Sequence, residues 1–183
     1  MTFELEQFID NCRSALKETD AHEAIAELAR EAVSSPTDII KTLGEPTLGG
    51  LNTLYHAPDL TILNIVWAPT MTLYPHNHCM WAAIGIYDGR EENTFYRRDH
   101  DSLTQHGIKM MERGDVAKLG EDIIHSVHNP DLKLTSALHI YGGDFFEAPR
   151  SEWDMETFSE APYNIENTRA AFEESNKILL KET

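Results

Sequence analysis

The chain contains few cysteines and few basic residues. Its 183 residues include two cysteines, Cys12 and Cys79, and 15 Lys and Arg against 31 Asp and Glu, a formal net charge of −16. Two cysteines in different regions of the sequence do not indicate a disulfide framework, which favours a reducing compartment. Nucleic acids are bound mainly by clusters of Lys and Arg. The acidic composition therefore argues against a nucleic-acid partner.

Long apolar runs are also missing. The longest, near Leu63 to Pro69, is far shorter than the roughly 20 residues that span a bilayer. The first ten residues, MTFELEQFID, are acidic and do not have the basic start and apolar stretch of a secretory signal. We therefore expect a cytoplasmic protein that does not interact with membranes.

Helical patterns occupy both ends of the chain. Apolar residues in the first 45 positions recur three to five apart, as on one face of a helix. Asp20 followed by Glu23 is a capping box for a second helix, and Ser35-Pro36 begins a third. A last helix is expected from Asn164 to Leu180. Residues 1–48 are predicted to be a helical extension that packs on the rest of the fold.

The segment from residue 49 onward has a β pattern. Stretches rich in Leu, Ile, Val and aromatic residues alternate with turn signals such as Asp88-Gly89 and Gly142-Gly143-Asp144. Short strands at this spacing favour an all-β barrel or sandwich over a βαβ fold. Residues 49–183 are therefore predicted to be a barrel with a C-terminal helix, and the whole chain one structural domain.

Three histidines give the strongest chemical signal. In Pro75-His76-Asn77-His78 the two histidines lie two residues apart, so on a strand both point to the same face. Imidazole is a common ligand for iron, copper, nickel and zinc. A third ligand should come from a distant strand, and His125 is the best candidate.

These stretches resemble the paired motifs of the cupin superfamily. The first motif corresponds to His76, His78 and Gly89, and the second to Gly114, His125 and Asn129, although Gly120 and Asp122 replace a Pro and a Gly of the second motif. The resemblance implies a mainly β, RmlC-like jelly roll (a double-stranded β-helix), with N-terminal helices and a C-terminal helix. It also implies a metal held by His76, His78 and His125. A homodimer through strand edges or the N-terminal helices is left open.

The first motif lacks the carboxylate that many cupins supply after the second histidine, because Ala82 and Ala83 occupy those positions. A site of three histidines without a carboxylate resembles the thiol dioxygenase branch, and especially its uncharacterised members predicted to be metal-dependent double-stranded β-helix enzymes. The stretches that carry this likeness are PHNHCMWAAIGIYDGREEN, IHSVHNP, ALHIYGGDFF and PRSEWD. The likeness implies a mononuclear Fe(II) enzyme that uses O₂ on a small thiol. Nickel, manganese and zinc are also compatible with three imidazoles.

Two catalytic residues follow from the same resemblance. Thiol dioxygenases carry a Ser-x-His-x-Tyr pattern on a strand that faces the iron. His139 and Tyr141 match it, whereas Ala137 replaces the serine. Both side chains could hydrogen-bond a substrate oxygen and supply a proton. A satisfied core histidine is an equally good interpretation of His139.

The residues that bind the substrate are less clearly indicated. Between Thr42 and Pro75 there is no Arg, Lys or Gln to anchor a carboxylate, and His56 is among the few polar side chains there. Arg90, Arg97 or Arg150 could instead close over the barrel mouth. We predict Arg90, His56 and Trp81 as substrate-binding residues, although a core or lid position is the commoner interpretation of Trp81. The other possibility is a substrate without a carboxylate, such as cysteamine.

Two other functions remain open at this stage. A metal-dependent cupin could act on a diketone, an enediol or a sugar. A cupin with a stably bound zinc could be a non-catalytic metal-binding or sensor protein.

Overall fold

The computed structural model describes residues 3–100 and 102–180, and it begins with three helices. These are α1 (Leu5–Ala15), α2 (Ala21–Val33) and α3 (Pro36–Leu43). The side chain of Asp20 accepts a hydrogen bond from the backbone N–H of Glu23 (3.0 Å), and Pro36 is the first residue of α3. Both expected helix starts are therefore confirmed.

Eleven strands follow the helices within the described residues. They are β1 (Gly50–Ala57), β2 (Leu60–Trp67), β3 (Thr72–Asn77), β4 (Ala82–Asp88), β5 (Arg90–Asp99), β6 (Ser102–Glu112), β7 (Val116–Leu119), β8 (Ile124–His128), β9 (Thr135–Tyr141), β10 (Ser151–Trp153) and β11 (Glu160–Pro162). The last element is α4 (Ile165–Leu180).

The strands form two antiparallel sheets that pack face to face. One sheet has the order β1-β2-β9-β4-β7 and the other β11-β10-β3-β8-β5-β6. This is the mainly β fold, a double-stranded β-helix with N-terminal helices and a C-terminal helix, that the sequence predicted. Strands β2, β4 and β9 form the centre of the five-stranded sheet and are buried along nearly their whole length.

Both faces of the five-stranded sheet are covered, which explains this burial. Alternate residues of its central strands, such as Leu138 and Ile140, pack against the N-terminal helices. The residues between them, such as Ala137 and Tyr141, face the second sheet. Because side chains alternate along a strand, each central strand contributes to two separate cores.

Two residues of the expected motifs shape the turns beside these strands. Gly89 has φ +75°, and a Cβ there would lie 2.2 Å from Oγ1 of Thr135, so only glycine fits. The buried Asn129 donates to the carbonyl oxygens of Trp67, Ala68 and Lys133. Asn129 therefore connects the loop after β8 to the end of β2.

Helix α4 packs beside β1 and the end of β2. Phe172 stacks on Trp67 with ring centroids 5.4 Å apart, and Asn176 exchanges two hydrogen bonds with the backbone of Gly49. None of the helices in the described ranges is long and apolar enough to span a membrane. The two cysteines are free, Cys12 buried and Cys79 exposed.

Candidate metal centre

The three predicted ligands meet between the two sheets. His76 lies near the end of β3, directly opposite His125 of β8, and His78 follows the last residue of β3. All three side chains are buried. Nε2 of His78 is 3.3 Å from Nε2 of His76 and 3.3 Å from Nε2 of His125. The structure thus brings the three histidines into one group that could hold a metal ion.

Hydrogen bonds at the far side of two rings set their tautomers. Nδ1 of His76 is 3.0 Å from the backbone oxygen of Tyr74, an acceptor, so this Nδ1 carries the proton. Nδ1 of His125 donates in the same way to Oδ1 of Asn93 at 2.7 Å. The Nε2 atoms of both rings are left with lone pairs that point at His78.

The arrangement of the three nitrogen atoms is more consistent with a bound cation than with three imidazoles that have only one another as partners. Burial lowers the pKa of His76 to about 4 and holds those of His78 and His125 well below 6.5, so all three rings are neutral. One proton on Nε2 of His78 cannot satisfy two facing lone pairs, and Nδ1 of His78 has no hydrogen-bond partner in the described structure. Nitrogen atoms 3.3 Å apart can both lie at the ~2.1 Å from one ion that is usual for imidazole.

No carboxylate joins the group of candidate ligands within the described residues. Ala82 and Ala83, at the positions where many cupins have a glutamate, are buried without any polar atom in their side chains. Ala82 faces the second sheet and Ala83 faces the helices. The charge of a bound metal would therefore not be reduced by a ligand from this strand.

His139 and Tyr141 face the metal site from the opposite sheet. The ring of Tyr141 meets that of His78 edge-on, with centroids 5.0 Å apart, and its hydroxyl is 3.1 Å from Nδ1 of His139. Burial lowers the pKa of His139 to about 3 and raises that of Tyr141. The imidazole is therefore neutral and the phenol retains its proton. The catalytic role of both residues stays a prediction.

A buried hydrogen-bonded network around Glu91 lies beside these residues and was not predicted from the sequence. Glu91 of β5 is fully buried, and its carboxylate accepts hydrogen bonds from Nε1 of Trp67 (2.7 Å) and Nδ2 of Asn93 (2.8 Å). The same carboxylate is 4.0 Å from Nε2 of His139. Burial raises the pKa of Glu91, although the two donors oppose this shift. The available signal was that residues 91 and 93 share one face of a strand.

The histidines line a narrow cavity with an accessible volume of only about 10 Å³. Phe145, Tyr163 and Phe172 line it together with Trp67 and other side chains of the two sheets. Thr168 of α4 is also part of the lining and forms hydrogen bonds with Tyr163 (2.7 Å) and Tyr74 (2.8 Å). The lining is mostly aromatic and apolar, and a molecule larger than water would enter only if some of these side chains moved.

Arg150 lies next to this cavity. It is 5% exposed, and its guanidinium carbon is 4.0 Å from the ring centroid of Phe145 and 3.8 Å from that of Tyr163. Nη2 donates to the backbone oxygen of Phe145 (2.7 Å), whereas Nε and Nη1 have no partner in the described structure. The positive charge of Arg150 adds to burial in lowering the pKa of His78. Two donors of a buried cation are thus free to bind an anion.

The three predicted substrate residues are not among the cavity-lining residues. Arg90 forms an ion pair with Asp131 at the surface, and His56 is 2.8 Å from Asp144. Trp81 stacks on His22 of α2 with centroids 4.9 Å apart. The structure does not bring these side chains together, and their role in substrate binding stays a prediction.

No family model matches the chain. Its likeness to solved structures is one of fold. An uncharacterised double-stranded β-helix protein from Klebsiella pneumoniae subsp. pneumoniae MGH 78578 is 11% identical, with a TM-score of 0.47 over 59% of this chain and 81% of that one. An RmlC-like cupin from Methanocaldococcus jannaschii is 10% identical (TM-score 0.47, 57% and 88%). The DMSP lyase DddQ from Ruegeria pomeroyi is 16% identical (TM-score 0.47, 60% and 53%).

Proposed function

We propose that this protein is a mononuclear non-haem Fe(II) dioxygenase that oxidises a small thiol to a sulfinate. The observation that carries the proposal is the donor set: three buried, neutral imidazoles converge without a carboxylate. Such a site has a charge of +2 with Fe(II), and a positively charged metal favours binding of a thiolate. The reaction is balanced, since RSH and O₂ give RSO₂H with both oxygen atoms transferred to sulfur.

Bound Fe(II) would supply the redox chemistry between O₂ and sulfur. The protein would supply position and environment. His76, His78 and His125 would hold the ion through Nε2. The aromatic lining, including Phe145 and Phe172, would exclude water and limit the escape of oxidants.

Hydrogen bonding to a bound substrate oxygen would come from two residues of the opposite sheet. The buried hydroxyl of Tyr141 retains its proton, because burial raises its pKa, and the neutral His139 is a hydrogen-bond partner at 3.1 Å. With its proton on Nδ1, His139 would donate to the Tyr141 oxygen, and the single O–H of Tyr141 would be left to donate to a bound substrate oxygen. His139 would keep the phenol oriented towards the cavity.

The free donors of Arg150 support a substrate that carries a carboxylate. Nε and Nη1 of Arg150 have no partner in the described structure, and because their N–H groups point to different sides of the guanidinium, each could donate one charge-assisted hydrogen bond to a carboxylate. The sequence offered no anchor on an early strand. Arg150, which precedes β10, could take that role from the other end of the chain. We therefore favour a thiol with a carboxylate over cysteamine.

The test is oxygen uptake by the iron-loaded protein with a panel of small thiols that includes cysteine, 3-mercaptopropionate and cysteamine. We expect uptake of one O₂ per thiol and formation of the sulfinate, with a carboxylate-bearing thiol as the best substrate. The His125→Ala variant under the same conditions is the control for iron in solution. If no thiol in the panel stimulated uptake above this control, the proposal would be wrong.

A further inference from the structure

Glu91 is a buried acid without a cationic partner among the described residues, since His139, 4.0 Å away, is neutral. Its side chain is fully buried, and no Lys or Arg of the described chain forms an ion pair with it. Burying a carboxylate is costly unless hydrogen bonds compensate, and Glu91 has only two within range, from Trp67 and Asn93. This cost points to a role that a neutral side chain would not fulfil.

The hydrogen bonds of Glu91 lead directly to a candidate metal ligand. The NH₂ group of Asn93 is directed towards Oε1 of Glu91 at 2.8 Å, and this carboxyl oxygen accepts its hydrogen bond. The amide oxygen of Asn93 then faces Nδ1 of His125 at 2.7 Å. Nδ1 must therefore carry the proton, which leaves the lone pair on Nε2.

We propose that Glu91 is a positioning residue that sets the tautomer of His125 through Asn93, and so makes Nε2 of His125 available to a divalent metal. This inference rests on the metal site of the proposed function and not on its thiol substrate. The role of Glu91 is to be an acceptor at both of its oxygens. Trp67 and Asn93 each need one of them.

This requirement makes a glutamine at position 91 informative. Glutamine has nearly the shape of glutamate but only one acceptor oxygen. The indole N–H of Trp67 can only donate a hydrogen bond. The side-chain oxygen of a glutamine would therefore remain with Trp67, and the NH₂ group of the glutamine would face Asn93. Asn93 would then turn its own oxygen towards position 91 and its NH₂ group towards His125. Nδ1 of His125 would become an acceptor, and Nε2 would carry the proton.

A second substitution should reverse this effect. In a Glu91→Gln/Asn93→Asp double variant, the glutamine donates to one oxygen of the aspartate. The other oxygen of the aspartate accepts from Nδ1 of His125, as in the unmodified protein. The net charge of the pair is unchanged. Restored binding in the double variant would be specific to the hydrogen-bond directions, because simple loss of packing would not be repaired by a second change.

The experiment measures tautomer and metal affinity separately. Imidazole ¹⁵N chemical shifts of the metal-free protein report which nitrogen of His125 carries the proton. Competition with a chromophoric chelator gives the affinity for Zn²⁺ and Fe²⁺. We expect Nδ1–H in the unmodified protein, Nε2–H and about 10- to 100-fold weaker metal binding in Glu91→Gln, and recovery of both properties in the double variant.

The matched control is Glu92→Gln, the adjacent residue on the same strand, which is only half-buried. It should change neither the tautomer nor the affinity. If Glu91→Gln retained Nδ1–H and full affinity, or if the double variant remained as weak as the single one, the inference would be wrong. If Glu91→Gln does not fold, the tautomer of His125 and the metal affinity are measured in the double variant only. The inference is then wrong if either one differs from that of the unmodified protein. Absence of thiol oxidation with this pattern intact would reject only the proposed function.

Discussion

The two layers on either side of the five-stranded sheet are both buried, but they differ chemically. Towards the helices, β9 presents Leu138 and Ile140 to an apolar layer. Towards the second sheet, the same strand presents His139 and Tyr141 to the candidate metal centre. The inner layer accommodates imidazoles that have polar partners there, as Nδ1 of His125 has Asn93 and Nδ1 of His139 has the hydroxyl of Tyr141. Stability and chemistry should therefore be separable by mutation.

Truncation in the helix–sheet layer should have the largest effect on stability. Leu138 is fully buried, so Leu138→Ala should reduce the free energy of unfolding by about 2–5 kcal/mol through lost burial and a cavity. The affinity for divalent metal should stay within about twofold of the unmodified value, since its side chain points away from the histidines. Urea unfolding and chelator competition measure the two quantities. A parallel loss of metal affinity would show that the layers are coupled.

Loss of Arg150 should affect the inner layer selectively. We expect Arg150→Gln to lower kcat/KM for a carboxylate-bearing thiol by about 10- to 100-fold, because charge-assisted hydrogen bonds are lost. The value for cysteamine, which has no carboxylate, should change little. Oxygen uptake measures both, and the exposed Arg97→Gln is the matched control. Equal losses for both thiols would indicate damage to the cavity instead of loss of an anchor.

Acid should destabilise the metal-free protein through the inner layer. Burial lowers the pKa of His76 to about 4 and that of His139 to about 3, whereas unfolded histidines titrate near 6.5. As the pH falls from 6.5 towards these values, the unfolded chain binds more protons than the folded one. Stability should fall by up to about 1.4 kcal/mol per pH unit for each histidine, and above pH 6.5 this contribution is constant.

The His139→Phe variant isolates one of these contributions. Urea unfolding of the metal-free variant at pH 7.5, 6 and 5 should show a smaller decrease than in the unmodified protein. A decrease of the same size would place the acid sensitivity outside the inner layer.

Removal of a surface ion pair should have the smallest effect. Arg90 pairs with Asp131 at the surface, outside the cavity lining. Arg90→Ala should change the free energy of unfolding by about 0–1 kcal/mol and KM for the thiol by less than about twofold. Thermal unfolding and steady-state kinetics check this result. A several-fold rise in KM would instead support the substrate role that the sequence suggested.

The β architecture and the pairing of His76 with His78 were predictable from local pattern, whereas the jelly roll and the choice of His125 came from the resemblance to the cupin motifs. The spacing of His76 and His78 determines a shared face, and the turn glycine Gly89 determines where β4 ends. Alternation on β9 also placed His139 and Tyr141 on one face. The shared faces on β3 and β9 need only the period of a strand.

The rest of the site depends on contacts between distant segments. Glu91 lies near the basic pair at residues 97–98 in the sequence, yet its carboxylate lies inside the sandwich against Trp67. Arg150 lies beside the cavity because two lining residues, Phe145 and Tyr163, enclose its guanidinium group. Conversely, the ring of Trp81 stacks on the ring of His22 in the N-terminal region. No periodicity within one segment indicates these pairings.

The most direct test of the account is the metal stoichiometry of the purified protein after anaerobic equilibration with Fe²⁺ and removal of excess ion. We predict one ion per chain in the unmodified protein and almost none in His125→Ala. His128→Ala, which alters a half-buried histidine on the same strand that bonds to Thr72, should retain one ion. An unmodified protein that binds no ion, or a His125→Ala variant that still retains one, would contradict the central claim that His76, His78 and His125 form the metal site.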